Sequence, residues 1–96
     1  MDLGTTIKNI RKQKALSQKE LADRCGISQT YLSQIEKNQK QPNYSRLVLI
    51  SNGLKIPLPI LFFLSMTEED VQPQKRKAFH IISPSVKSIL NEFLAV

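Results

Sequence analysis

Tryptophan is absent, histidine and cysteine each occur once, and glycine occurs three times in 96 residues. A lone Cys25 permits no intramolecular disulfide and gives no set of thiolates for a metal. His80 likewise has no second imidazole beside it. No Ser/His/Asp arrangement, phosphate-cradling glycine loop or placed pair of carboxylates is visible, so neither an enzyme nor a cofactor or metal is expected. Period-2 alternation is missing, which leaves no strand signal. No apolar run nears the roughly 20 residues that span a bilayer. The longest, Leu58 to Leu64, is interrupted by Pro59. The start, Met1-Asp2-Leu3-Gly4, carries no signal-peptide apolar region, and a cytoplasmic location without a membrane partner is expected.

Acidic residues are also scarce. Eight acids face fourteen Lys/Arg, for a net charge of +6. The excess is uneven: residues 1–66 hold ten Lys/Arg and four acids, and residues 67–96 hold four of each. A basic segment of this kind suits a polyanion, either nucleic acid or an anionic membrane surface.

What remains is helical periodicity. Leu3, Ile7 and Ile10 form one stripe, with Lys14 at its cationic end, and predict a first helix from about Gly4 or Thr5 to Lys14. Ser17-Gln18-Lys19-Glu20 fits a capping box, and Leu16 with Leu21 fits a hydrophobic staple. Gly26 accepts the left-handed conformation that ends a helix, so a second helix spans about Gln18 to Cys25. Ser28 is the expected N-cap of a third, with Leu32 and Ile35 inward. Lys37 to Pro42 is a polar loop. A fourth helix follows from about Tyr44 to Asn52 with Gly53 as its cap, and a short fifth from about Leu58 to Leu64.

Beyond Ser65 the acids of Thr67-Glu68-Glu69-Asp70 suggest another helix start. Two more helices are expected, one from about Gln74 to Ile82 and one capped by Ser83 with Pro84 at its first position. The last would present Val86, Ile89, Leu90, Phe93 and Leu94 as one amphipathic stripe, to pack back on its own domain or on the same stripe of another copy.

Two helices joined by about three residues, the first closed by glycine, make the unit that sets a second helix in a DNA major groove. Ala22 supplies the small residue wanted where such helices cross. Ser28, Gln29, Thr30, Ser33 and Gln34, with Tyr31 among them, give the third helix a polar outer face. Glutamine pairs bidentately with adenine, and Ser or Thr contacts any base edge. A plain αα-hairpin with a solvated face is the competing reading of these residues.

Leu16-Ser17-Gln18-Lys19-Glu20-Leu21-Ala22, Gly26-Ile27-Ser28 and Tyr31-Leu32-Ser33-Gln34-Ile35-Glu36 together resemble the lambda-repressor/Cro type of helix-turn-helix, the Xre family. The resemblance covers about residues 3–64 and implies an all-α, five-helix domain, here with a C-terminal helical extension. It implies that Gln18 grips a phosphate and braces the recognition helix, and that Gln29, Thr30 and Gln34 read bases. Lys19, Ser28 and Ser33 join them as DNA contacts, Tyr31 is either a contact to the DNA backbone or a packing residue with its hydroxyl exposed, and the loop residues Lys37, Asn38 and Lys40 meet phosphates. Arg11 and Glu36 match a partly buried salt bridge. Asn38 replaces the glycine usual after the third helix, and Pro57 replaces the polar cap of the fifth.

The expectation is therefore a bacterial or phage transcriptional regulator, a dimeric repressor on the nucleoid that reads a palindromic double-stranded DNA site. Residues 1–66 would bind DNA and 67–96 would form a homodimer through Val86, Ile89, Leu90, Phe93 and Leu94. An antitoxin-like module, gripping an unlike protein with its C-terminal helices, is the alternative. No extra domain of ligand-binding size is present, so no small-molecule effector is expected.

Overall fold

Asp2, Ser17, Ser28 and Asn43 start four helices in one way. Each side-chain oxygen accepts the N–H three residues on: Thr5 at 3.2 Å, Glu20 at 3.0 Å, Tyr31 at 3.0 Å and Arg46 at 3.0 Å. A cap of this kind contributes about 1 kcal/mol. The computed structural model describes residues 1–95. It contains α1 (Leu3–Gln13), α2 (Gln18–Cys25), α3 (Gln29–Glu36), α4 (Tyr44–Leu54), α5 (Leu58–Ser65) and α6 (Arg76–Leu90). Short 3₁₀ turns cover Glu68–Asp70, Pro73–Lys75 and Asn91–Leu94. The described residues are all-α, without strands.

The capping box of α2 is complete, because Glu20 Oε1 accepts the Ser17 N–H at 3.0 Å in return. That bond, with the Ser17 hydroxyl, holds the Glu20 carboxyl below the usual carboxylate range. Gly26 closes α2 at φ +67°, and a Cβ there would meet nothing within 4 Å. Only its backbone conformation calls for glycine.

The core gathers Ile7, Ile10, Leu16, Leu21, Leu32, Ile35, Ile50, Leu54, Ile56 and Leu61, each nearly removed from solvent. Burying one such side chain contributes about 1.5–3 kcal/mol. Ala22 is buried among them. Two glycines also stand at close helix contacts. A Cβ on Gly4 would lie 2.2 Å from the Ile35 carbonyl oxygen, and one on Gly53 would lie 2.4 Å from Cys25 Sγ. Gly53 is therefore a buried crossing point inside α4 and not its cap. The left-handed cap is Lys55, at φ +58°.

Lys14, Arg24 and Lys55 converge at one small cavity, where α1, α2 and α4 end. Their charges sit on the negative ends of three helix dipoles. Burial, then Lys55 and Arg24, lowers the Lys14 pKa. The buried Cys25 thiol is pushed up to about 11 by the same loss of water.

The C-terminal segment departs from expectation. The two anticipated helices are one, and Ser83 is a buried helical residue instead of a cap. Pro84 lies inside α6. An interior proline forfeits the bond to the carbonyl four residues earlier, here that of His80. His80 is exposed, so water can take that carbonyl's hydrogen bond. The acids at 68–70 form a 3₁₀ turn in place of a longer helix. His80 Nε2 lies 2.7 Å from Glu68 Oε2, and Arg76 Nε donates to the Glu68 carbonyl at 2.9 Å, which joins that turn to α6.

Candidate nucleic-acid interface

Helices α2 and α3 are held at a fixed angle by a buried carboxylate. Glu36, at the end of α3, accepts Arg11 Nε at 2.7 Å and Arg11 Nη2 at 3.1 Å. It also accepts Gln18 Nε2 at 3.0 Å. Arg11 Nη1 donates to the Leu16 carbonyl at 2.8 Å. One carboxylate thus joins α1, α3 and the first residue of α2. The side chains of Arg11 and Glu36 are 9% and 1% exposed, so water competes little for this pair.

With Leu32, Ile35 and Glu36 turned inward, helical geometry turns the rest of α3 out. Gln29, Thr30, Ser33 and Gln34 line a shallow polar concavity of about 380 Å³ with Gln18, Lys37 and Gln39. Six of these residues are among those read from the sequence. Gln39 is added by the fold: its N–H bonds the Gln34 carbonyl at 2.9 Å, which carries the loop back beside α3. The concavity offers amides, hydroxyls and one ammonium and contains no carboxylate. Such a surface can both donate and accept hydrogen bonds toward base edges.

The other predicted contacts are placed differently. Lys19 is exposed on α2, outside this concavity. Ser28 spends its hydroxyl on the Tyr31 N–H and lies on the opposite flank of α3. Asn38 is turned toward α1: its Oδ1 accepts the Gly4 N–H at 3.1 Å and its Nδ2 donates to Asp2 at 2.9 Å. That amide lowers the Asp2 pKa by its hydrogen bond. Asn38 adopts φ +57°, so it does serve in place of the glycine usual there. Its side chain fastens the loop to α1 while the residue stays exposed.

Tyr31 is half-buried, with Lys40 Nζ 6.0 Å and the Arg46 guanidinium 5.2 Å from its ring centre. Arg46 was not singled out from the sequence, because its approach to α3 depends on how α4 packs. Val86, Leu90 and Leu94 form the half-buried side of the C-terminal segment, with Leu94 against the main core. Ile89 and Phe93 belong to a second, exposed side with Ile81 and Ile82.

Two short helices joined by a glycine turn, the second braced and polar on its outer face, define the helix-turn-helix class. A helix-turn-helix family model matches residues 7–61, and the chain belongs to that family, in its lambda-repressor/Cro (Xre) branch. It is 40% identical over 55 residues to the HTH-type transcriptional regulator SutR of Escherichia coli strain K12, covering 57% of this chain and 31% of SutR. It is 38% identical over 60 residues to the HTH-type transcriptional regulator SinR of Bacillus subtilis strain 168, covering 62% of this chain and 54% of SinR. The ImmF control region 10 kDa protein of Bacillus phage phi105 is 41% identical over 69 residues, 72% of this chain and 73% of that one. A crystal structure of a mutant of the restriction-modification controller protein C.Esp1396I superposes with a TM-score of 0.61 at 31% identity, covering 64% of this chain and 79% of that one. The chain spans between 31% and 64% of the length of SutR, the Bacillus subtilis regulator YqaE and the phi105 immunity repressor.

Proposed function

We propose that this chain is a sequence-specific, double-stranded-DNA-binding transcriptional regulator, acting as a dimeric repressor with α3 in the major groove. The observation that carries this is the polar concavity on α3, floored by side chains that can pair with bases and fixed by the Arg11–Glu36–Gln18 cluster. Gln29, Thr30 and Gln34 are assigned to base edges. Lys37 and Lys40 are assigned to phosphates, the charge excess of residues 1–66 supplying general affinity. The names of SutR, SinR and the phi105 immunity repressor support regulation as the class of activity.

Selection of duplexes from a random pool, followed by mobility-shift titration, tests the reading. Replacing Gln34 with alanine is expected to cost about 1–3 kcal/mol on the selected site and to relax preference at one position. Equal losses on selected and random duplexes would remove Gln34 from base reading.

The dimer is assigned to the exposed side of α6. The apolar arc of the C-terminal segment is wider than one contact needs. Val86, Leu90 and Leu94 occupy its half-buried part, and Ile81, Ile82 and Ile89 stand 67%, 55% and 71% exposed. A second copy placing the same face there would remove both from water at once. An Ile89→Asp chain should sediment as a monomer and keep its helical circular dichroism. A dimer that survives this change would place self-association elsewhere.

A further inference from the structure

The two edges of α3 are built differently, and one has no assigned partner. A helix with its side chains is about 10–12 Å across, and the major groove is about 12 Å wide. A helix seated there is therefore flanked by a sugar–phosphate strand on each side. On one edge of the α3 polar arc stands Gln18, held by Glu36. On the other stands Tyr31, with Lys40 and Arg46 over its ring.

Arg46 is exposed, in the first turn of α4, where Asn43 caps its N–H. With Tyr31, Ser28 and Ser45 it lines an open cavity of about 390 Å³ on that flank of α3. Among the described residues no carboxylate lies within ion-pair distance of Arg46 or Lys40. Two cations thus approach one aromatic ring, and neither is paired with an acid among the described residues. An aromatic ring attracts cations but cannot neutralise them, and an arriving anion would. A guanidinium lying on a ring is also oriented, and less freedom is lost when its N–H groups meet a planar or tetrahedral oxyanion.

We propose that Arg46 contacts a DNA backbone phosphate. Tyr31 is its positioning residue, and Tyr31, Lys40 and Arg46 form one clamp on the strand opposite the one met at Gln18. The inference rests on the DNA-binding reading above. It gives Tyr31 the role of a platform rather than a base reader.

The test is the salt dependence of affinity for a selected and a random duplex. Arg46→Gln, which keeps a stem on the ring, and Arg46→Ala should both lower the slope of log K against log salt by about one. Both duplexes should weaken alike. Tyr31→Phe should bind as the parent does, and Tyr31→Leu should bind several-fold more weakly to both duplexes. An unchanged slope in both Arg46 variants would overturn the Arg46 contact, even with Gln34→Ala behaving as expected. So would a loss confined to Arg46→Ala, which would mark a packing role. A weakened Tyr31→Phe would overturn the platform. A parent chain that binds no duplex at any salt would overturn both this proposal and the reading beneath it.

Discussion

A Glu36→Gln chain should lose about 3–5 kcal/mol of folding free energy, the cost of leaving one half of a buried ion pair without its partner. Small domains hold about 5–15 kcal/mol in total, so this loss would remove much of the stability. The size follows from what faces the carboxylate. Three N–H donors converge on its two oxygens, from Arg11 Nε, Arg11 Nη2 and Gln18 Nε2. An amide has one oxygen and would turn its own N–H toward at least one of them. Arg11, with 9% of its side chain exposed, would keep its bond to the Leu16 carbonyl but lose its counter-charge. Urea unfolding measures the loss. Replacing both residues by leucine or methionine should cost less than the single change, because no charge is then stranded. A single-variant loss under about 1 kcal/mol would mean that the site hydrates when the carboxylate is gone.

Gly4→Ala is the second large effect, and its sign is unusual. Alanine for glycine within an exposed helix normally stabilises by about 0.5–1 kcal/mol. Here the added Cβ would sit 2.2 Å from the Ile35 carbonyl oxygen and 2.4 Å from Asn38 Oδ1. The first is backbone at the end of α3 and cannot turn aside. We expect a loss of about 1–3 kcal/mol, the usual cost of overpacking, seen as a lower urea midpoint. Gly53→Ala offers the contrast. Its Cβ would meet Cys25 Sγ at 2.4 Å, a side-chain atom. Combining it with Cys25→Ala should therefore recover much of its loss. Gly4→Ala, blocked by backbone, has no comparable single-residue relief.

These two glycines also mark the limit of sequence reading. Ser17, Glu20, Gly26 and Ser28 were legible because their signals are local: a hydroxyl three residues from an N–H, a glycine at positive φ. The outward set Gln29, Thr30, Ser33 and Gln34 followed from helical period alone. Gly53 looked like a cap because it stands near the end of an apolar stretch, yet its role depends on Cys25, distant in sequence. Ser83-Pro84 looked like a helix start because the same two residues do start helices elsewhere. Nothing local distinguishes that from an interior proline that the helix tolerates. Asn38 was read correctly for its φ and differently for its side chain, which α1 captures through Asp2 and Gly4. Arg46 and Gln39 came to α3 only through the packing of the loop and α4.

The hydrogen bond from Gln18 to Glu36 has a consequence for the timing of entropy loss. A glutamine side chain gives up about 1.5–2 kcal/mol of rotamer freedom when it is immobilised. Most surface glutamines would lose that freedom only on meeting a ligand. Here the Nε2 bond at 3.0 Å orients the amide in the folded chain, and among the described residues no hydrogen bond takes its carbonyl oxygen. The ordering is incurred once, when the chain folds, and is not charged again to each encounter. If α2 meets a phosphate as proposed, the Gln18 amide would be ordered before the encounter.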